Sequence, residues 1–250
     1  MQDYIVYLNL KKQKNSTIEK EFELLKWFFK WANKKGYYKG NVHNDFNPKF
    51  KKVEDEQIIC LNFEEIKALQ GIEFKEKSLE RAKDVFLFCC FTGLRYSDVL
   101  KLKKADIKND HILVVMQKTA KTIKVELNKF SNEILKKYEN CENEFALPVI
   151  SNQKMNDYLK TIGRECGLNE EVNIVSYRGS VRIEEKFKKW ELLTTHCGRR
   201  TFVANAISLG VPTKVIMKWT GHSTESAMKP YEKIFDEIKQ EGMKKFDKIS

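Results

Sequence analysis

HCGRRTFVANAISLGVPTKVIMKWTGHSTESAMKPY, residues 196–231, is the stretch whose reading decides the fold. It opens with His196 and Arg199, three residues apart. On a helix over 196–209 they share one face and reach one target. Gly210 and Pro212 mark the end of that helix and the start of another over 213–219. The turn Thr220-Gly221-His222 follows. A third short helix over 224–229, capped by Ser223 or Thr224, leads to Tyr231, nine residues beyond His222.

Upstream, Asn62 with Glu65 three residues on predicts a capped helix ending at Gly71, and a second helix runs from about Ser78 to Phe91. Val85-Phe86-Leu87-Phe88-Cys89-Cys90-Phe91 is apolar all round, which predicts a helix through the core. Thr92-Gly93 interrupts it and sets Arg95 at the head of the next helix, at the core's edge, where a helix N-terminus would help hold an anion. Asp98 reads as an orienting partner for that arginine. Residues 111–117 and 122–127 predict an antiparallel hairpin around Thr119-Ala120-Lys121, since Ile123, Val125 and Leu127 alternate with Thr122, Lys124 and Glu126. Lys118 ends its first strand, and Lys121 competes for the same role. Helices are also expected near 131–139 and 152–165. Asn173 to Arg182 reads only as a short strand or loop. The fold class is mainly α with a small antiparallel β-sheet (α+β).

These residues are chemically coherent. Two arginines present rigid, permanently charged forks to the non-bridging oxygens of one phosphate, and histidines add donors or carry protons. A lysine can protonate a leaving oxygen, and a tyrosine can attack phosphorus. Taken singly, a histidine is more often structural and a tyrosine more often a packed aromatic. Order and spacing are what favour function here.

From about Leu61 to Tyr231 the set resembles the catalytic domain of the tyrosine recombinase (phage integrase) family. Between Glu191 and Thr201, and again between Gly210 and His222, the wording is similar to integrases of Bacteroidetes mobile elements. The resemblance implies that Arg95, His196, Arg199 and His222 embrace the scissile phosphate of double-stranded DNA. Lys118 would be the general acid and Tyr231 the nucleophile that forms a 3′-phosphotyrosyl bond, with no metal or other cofactor. It implies a homotetramer on DNA, DNA-bending accessory proteins, and the integration or excision of a mobile element. A type IB topoisomerase-like nicking and closing enzyme, or a non-catalytic DNA-binding module, are the alternatives. Two departures stand out. Cys197-Gly198 follows His196 where the family often carries a small or acidic residue and then an apolar one, so a looser helix start is expected. Pro230 precedes the tyrosine, so a kinked or mobile segment is expected there.

Composition agrees with a folded DNA-acting protein. The 250 residues are 42% apolar and 12% aromatic, enough for a substantial core. Forty-six Lys and Arg against 35 Asp and Glu give a formal charge of +11, which suits a polyanionic partner. Six cysteines in no zinc-like or disulfide-like spacing read as reduced, mostly packed thiols. No leader is legible at the start, and no apolar run approaches the roughly twenty residues needed to cross a bilayer. A bacterial cytoplasmic protein, nucleoid-associated when bound to DNA, is the expectation, with no membrane partner.

Residues 16–35 read as an amphipathic helix with Ile18, Phe22, Leu25, Phe29 and Ala32 along one stripe, Ser16 and Glu19 as its capping box, and Gly36 as its end. This places residues 1–36 in an N-terminal helical unit, 37–57 in a linker and 58–250 in the catalytic domain, with a tail from about 233. Residues 16–36 resemble the last helix of the family's core-binding domain, which has about four helices. A shortened clamp would weaken DNA affinity. The tail's apolar trace, Ile234, Ile238, Met243, Phe246 and Ile249, suggests either packing on its own domain or docking on a neighbouring protomer.

Overall fold

The computed structural model describes residues 1–53, 57–117 and 120–231. Lys118 and the tail beyond Tyr231 therefore lie outside the described residues. The fold is mainly helical, with two small antiparallel sheets. Contacts divide the chain into two units, Met1–Glu56 with Val172–Phe187, and Gln57–Glu171 with Lys188–Ser250.

The first unit starts with α1 (Gln2–Leu10) and α2 (Asn15–Lys34). Ile5, Leu8, Ile18 and Phe22 form its core, against which Phe46 and Phe50 pack. The two phenylalanines come from the segment read as linker, which also holds the one-turn α3 (Val42–Asp45). Along the stripe on α2, Ile18, Phe22 and Ala32 are buried, and Leu25 and Phe29 are half-buried. Its start is different from the expected one. Lys14 is the N-cap and no side chain caps the helix. Asn15 instead spends its amide on the chain, donating to the carbonyls of Lys51 (3.0 Å) and Gly179 (2.9 Å) and accepting from the amide of Gly179 (2.7 Å). Gly179 is the turn between β3 (Glu171–Arg178) and β4 (Val181–Lys188), a hairpin longer than the short strand expected there.

The second unit is built around α5 (Lys77–Thr92), reached from α4 (Phe63–Gly71). The Asn62 and Glu65 capping box is present in both directions, at 2.9 and 2.8 Å. Of the continuous apolar run, Val85 to Cys90 are buried and Phe91 is half-buried. Gly93 then takes φ +69, a left-handed conformation that stops the helix cheaply only in glycine. A single turn follows, α6 (Tyr96–Val99). The hairpin of β1 (His111–Val115) and β2 (Thr122–Glu126) is antiparallel, with Ile112 opposite Val125 and Val115 opposite Thr122. After it come α7 (Lys129–Lys137), α8 (Asn152–Glu165), α9 (Thr195–Ser208) and α10 (Thr213–Thr220). The last described segment, Glu225–Tyr231, is a 3₁₀ turn and not an α-helix, with Pro230 inside it and withholding an amide.

The loose helix start expected at Cys197-Gly198 is a tight one. Cys197 closes the first turn of α9, its sulfur 3.4 Å from the amide nitrogen of Thr194. Gly198 sits against α5, where an added Cβ would stand 2.8 Å from the Cβ of Cys89 and 3.2 Å from the carbonyl oxygen of Phe86. Neither neighbour is the free end of a flexible chain. Gly198→Ala is therefore expected to destabilise the protein by about 1–3 kcal/mol. A urea midpoint equal to that of the parent protein would show that the two helices have room to spare.

Candidate functional site

Thr92-Gly93, the turn after α10 and the first two turns of α9 meet around one guanidinium. Arg199 is 2% exposed. Its Nη1 donates to the carbonyl of Gly93 (2.9 Å), and its Nη2 donates to the carbonyl of Thr220 (2.5 Å) and lies 2.9 Å from His222 Nε2. Proton positions on the histidine follow from the chain of donors. The Thr220 hydroxyl gives its only hydrogen to the carbonyl of Ile216 (2.7 Å), so His222 Nδ1, 2.9 Å away, must carry the hydrogen of that contact. Nε2 is then a bare acceptor for Arg199. A neutral ring is what this network demands. Burial first, then the charges of Arg199, Arg95 and His196, pull the His222 pKa down to about 4.

Gly221 places this histidine. It takes φ +65 as the C-cap of α10, and a Cβ there would overlap the sulfur of Met116 at the base of the β1–β2 turn. The histidine turn and the hairpin thus pack directly together.

Arg95 enters from the head of α6. That helix is only four residues long, so it has little dipole to offer an anion. Arg95 Nη1 is buried and has no hydrogen-bond partner among the described residues. Asp98 Oδ2, 3.9 Å away, is likewise unmatched. The other oxygen of Asp98 accepts from the amide of Gln117 (2.9 Å), which ties α6 to the end of the first hairpin strand. Lys118 is the next residue. Lys121, its competitor, is exposed on the other side of the turn.

His196 lies on the first turn of α9 and reaches solvent. Asn156 and Asn152 of α8 hold the preceding Thr195 through its amide (2.9 Å) and hydroxyl (2.8 Å). Partial loss of hydration, then the charges of Arg200, Arg199 and Arg95, lower the His196 pKa. Arg200 was not singled out in the sequence. Its place beside Arg199 was the available signal.

Tyr231 is 6% exposed and packed with Val203, Ala204, Ile207, Ile216 and Met228. Burial pushes its pKa up to about 12, opposed by the charges of Arg200 and Arg199. The structure therefore brings Arg95, His196, Arg199 and His222 together and holds the tyrosine as a neutral phenol in the adjoining apolar cluster.

The sequence of the Phage integrase family matches residues 59–237 of this chain, a span that includes all of these positions. The chain belongs to the phage integrase family. The family is one of enzymes that cleave and rejoin DNA. A tyrosine recombinase of Thermosipho africanus (strain TCF52B) is 26% identical over 236 residues, covering 93% of this chain and 76% of that protein. Among solved structures, a lambda integrase (75–356) dimer bound to a COC′ core site superposes with a TM-score of 0.64 at 19% identity, covering 91% of this chain and 77% of the other. A post-cleavage complex of the XerH site-specific recombinase gives 0.69 at 16% identity, covering 97% and 72%. At those identities the likeness is one of fold.

Two histidines held below their usual range have a consequence for stability. Folding favours their neutral form, so the unfolded chain binds more protons as pH falls below about 6.5. The stabilisation is complete above that value and is lost progressively down to about pH 4, the His222 value. The urea midpoint is expected to drop between pH 7 and pH 5, and His222→Asn to flatten that dependence. A parallel pH profile for the variant would rule out the neutral-ring network.

Proposed function

We propose that this chain is a site-specific recombinase that breaks and rejoins double-stranded DNA through a 3′-phosphotyrosyl intermediate, for integration or excision of a mobile element. The observation that carries the reading is the buried, unmatched Nη1 of Arg95 beside the guanidinium of Arg199 and the rings of His196 and His222. Such a cluster suits an acceptor with several oxygens and a negative charge, and a phosphodiester is one.

In this reading Arg95 and Arg199 take the non-bridging oxygens. Arg199 has five N–H groups and three are engaged, leaving two for the phosphate. His222 keeps Arg199 aimed, as a fixed acceptor. Tyr231 leaves its apolar cluster, gives its proton to a base, a place His196 can fill because its lowered pKa keeps the ring neutral, and its oxygen attacks phosphorus. The bond to the 5′ oxygen breaks, and Lys118 protonates that oxygen as it departs. Rejoining reverses each transfer. A 5′ oxygen attacks the phosphorus, the phosphotyrosyl bond breaks, and the phenolate recovers a proton. The phosphodiester's bond energy is conserved throughout.

The N-terminal unit, residues 1–36 with their neighbours, would serve as part of a DNA clamp. A tetramer would bring two duplexes together, with bending proteins assisting, at the nucleoid in the bacterial cytoplasm. Exchange between two differently labelled duplexes is the test that separates this activity from nicking and closing. Recombinant strands are expected. Relaxation of supercoils without exchanged strands would favour the topoisomerase-like alternative.

A further inference from the structure

Between β2 and α10 runs an open groove of about 940 Å³, with His222 among the residues that line it. Lys124 lines it from β2 and Lys121 from just before that strand, and Lys214 and Lys218 line it from the helix, the latter two one helical turn apart. Against these four cations stand two carboxylates, Glu126 and Glu225. Glu126 is already engaged, accepting from the indole Nε1 of Trp219 at 2.5 Å and lying 3.8 Å from Lys124. The indole is pinned on a second side by an edge contact with Phe202, centroids 5.9 Å apart at 72°. An aromatic held in a groove lined by four lysines is the composition that binds single-stranded nucleic acid, through phosphate contacts and tolerant stacking.

We propose that this groove receives the single-stranded 5′-hydroxyl end of the incoming DNA strand during rejoining. The inference rests on the phosphotyrosyl reaction proposed above, because only after cleavage is a free 5′ end required. The reaction leaves the protein bonded to the 3′ phosphate, and a second strand must then be delivered to that phosphorus. His222 lines the groove and meets Arg199 through Nε2, so the groove borders the cluster proposed to hold that phosphorus, and nothing in the cleavage step calls on Lys214 or Lys218.

Two arms test it with a Lys214→Gln/Lys218→Gln double variant. In the first, each protein is trapped on a nicked duplex and 5′-hydroxyl oligonucleotides are added at rising concentration. The half-saturating concentration is expected to rise about tenfold, with cleavage yield and maximal rejoining rate unchanged. In the second, anisotropy of a labelled single strand is followed on the same two proteins carrying Tyr231→Phe, so no chemistry is needed. The slope of log affinity against log salt is expected to shrink by about one to two. Unchanged half-saturation, unchanged salt slope, or an equal loss in affinity for intact duplex would overturn the proposal. Failure of the parent protein to form the covalent complex would count against the reaction, while the anisotropy arm would still decide the groove.

Discussion

Replacing Arg199 by alanine is expected to lower the rate of covalent complex formation by about a thousandfold or more, and to destabilise the fold as well. The rate loss follows from removing a preorganised donor from a charge that develops in the transition state, worth on the order of 10²–10³ for one such donor and more for an arginine on a transferring phosphoryl group. The stability loss has a separate origin. The carbonyls of Gly93 and Thr220 lose their donor inside the protein, at about 1–3 kcal/mol for each unsatisfied group. Arg199→Lys separates the two effects. It keeps a charge but not the fork that joins two carbonyls, a histidine and a phosphate, so it should recover part of the stability and little of the rate. Urea unfolding and single-turnover trapping measure them independently. A lysine variant with near-parent rate would show that Arg199 supplies charge alone.

Tyr231→Phe is expected to abolish the covalent complex while leaving the protein folded and bound to DNA. The ring lies among apolar side chains, and phenylalanine preserves that packing, so the change in stability should stay within about 1 kcal/mol. This combination of no chemistry with intact binding and stability is informative because the resting tyrosine is buried. Burial holds its pKa at about 12, so the phenol is protonated until it reaches the guanidiniums. Residual trapping by the phenylalanine variant would mean that another side chain attacks.

What the sequence disclosed was whatever it encodes locally. The α5 helix announced itself by a continuous apolar run, the Asn62 cap by a three-residue spacing, and the β1–β2 hairpin by alternation. His196, Arg199, His222 and Tyr231 were legible because one short stretch carries all four. What escaped notice is held through space. The roles of Thr220 and of the Gly93 carbonyl depend on a guanidinium over a hundred residues from one of them, and the tautomer of His222 depends on a hydroxyl bonded elsewhere. The β3–β4 hairpin is longer than its sequence suggests because its charged, half-exposed strands show weak alternation, and its tip is fixed by Asn15, 164 positions away. That same use of Asn15 overrode the capping box expected at Ser16. Helix α1 was missed because apolar residues such as Val6 and Leu10 remain exposed and leave no clear stripe.

The most direct test is to map the covalent bond. The protein would be incubated in the presence of a chelator with nicked duplexes tiled from the DNA flanking its own gene, trapped, and digested with trypsin. Cleavage after Lys218 and Lys233, with the Lys229-Pro230 bond resistant, yields one peptide over 219–233 in which Tyr231 is the sole tyrosine. The account predicts that this peptide carries a 3′-linked nucleotide through the phenol, and that Tyr231→Phe removes it. An adduct on a different peptide, or through a 5′ phosphate, would contradict it.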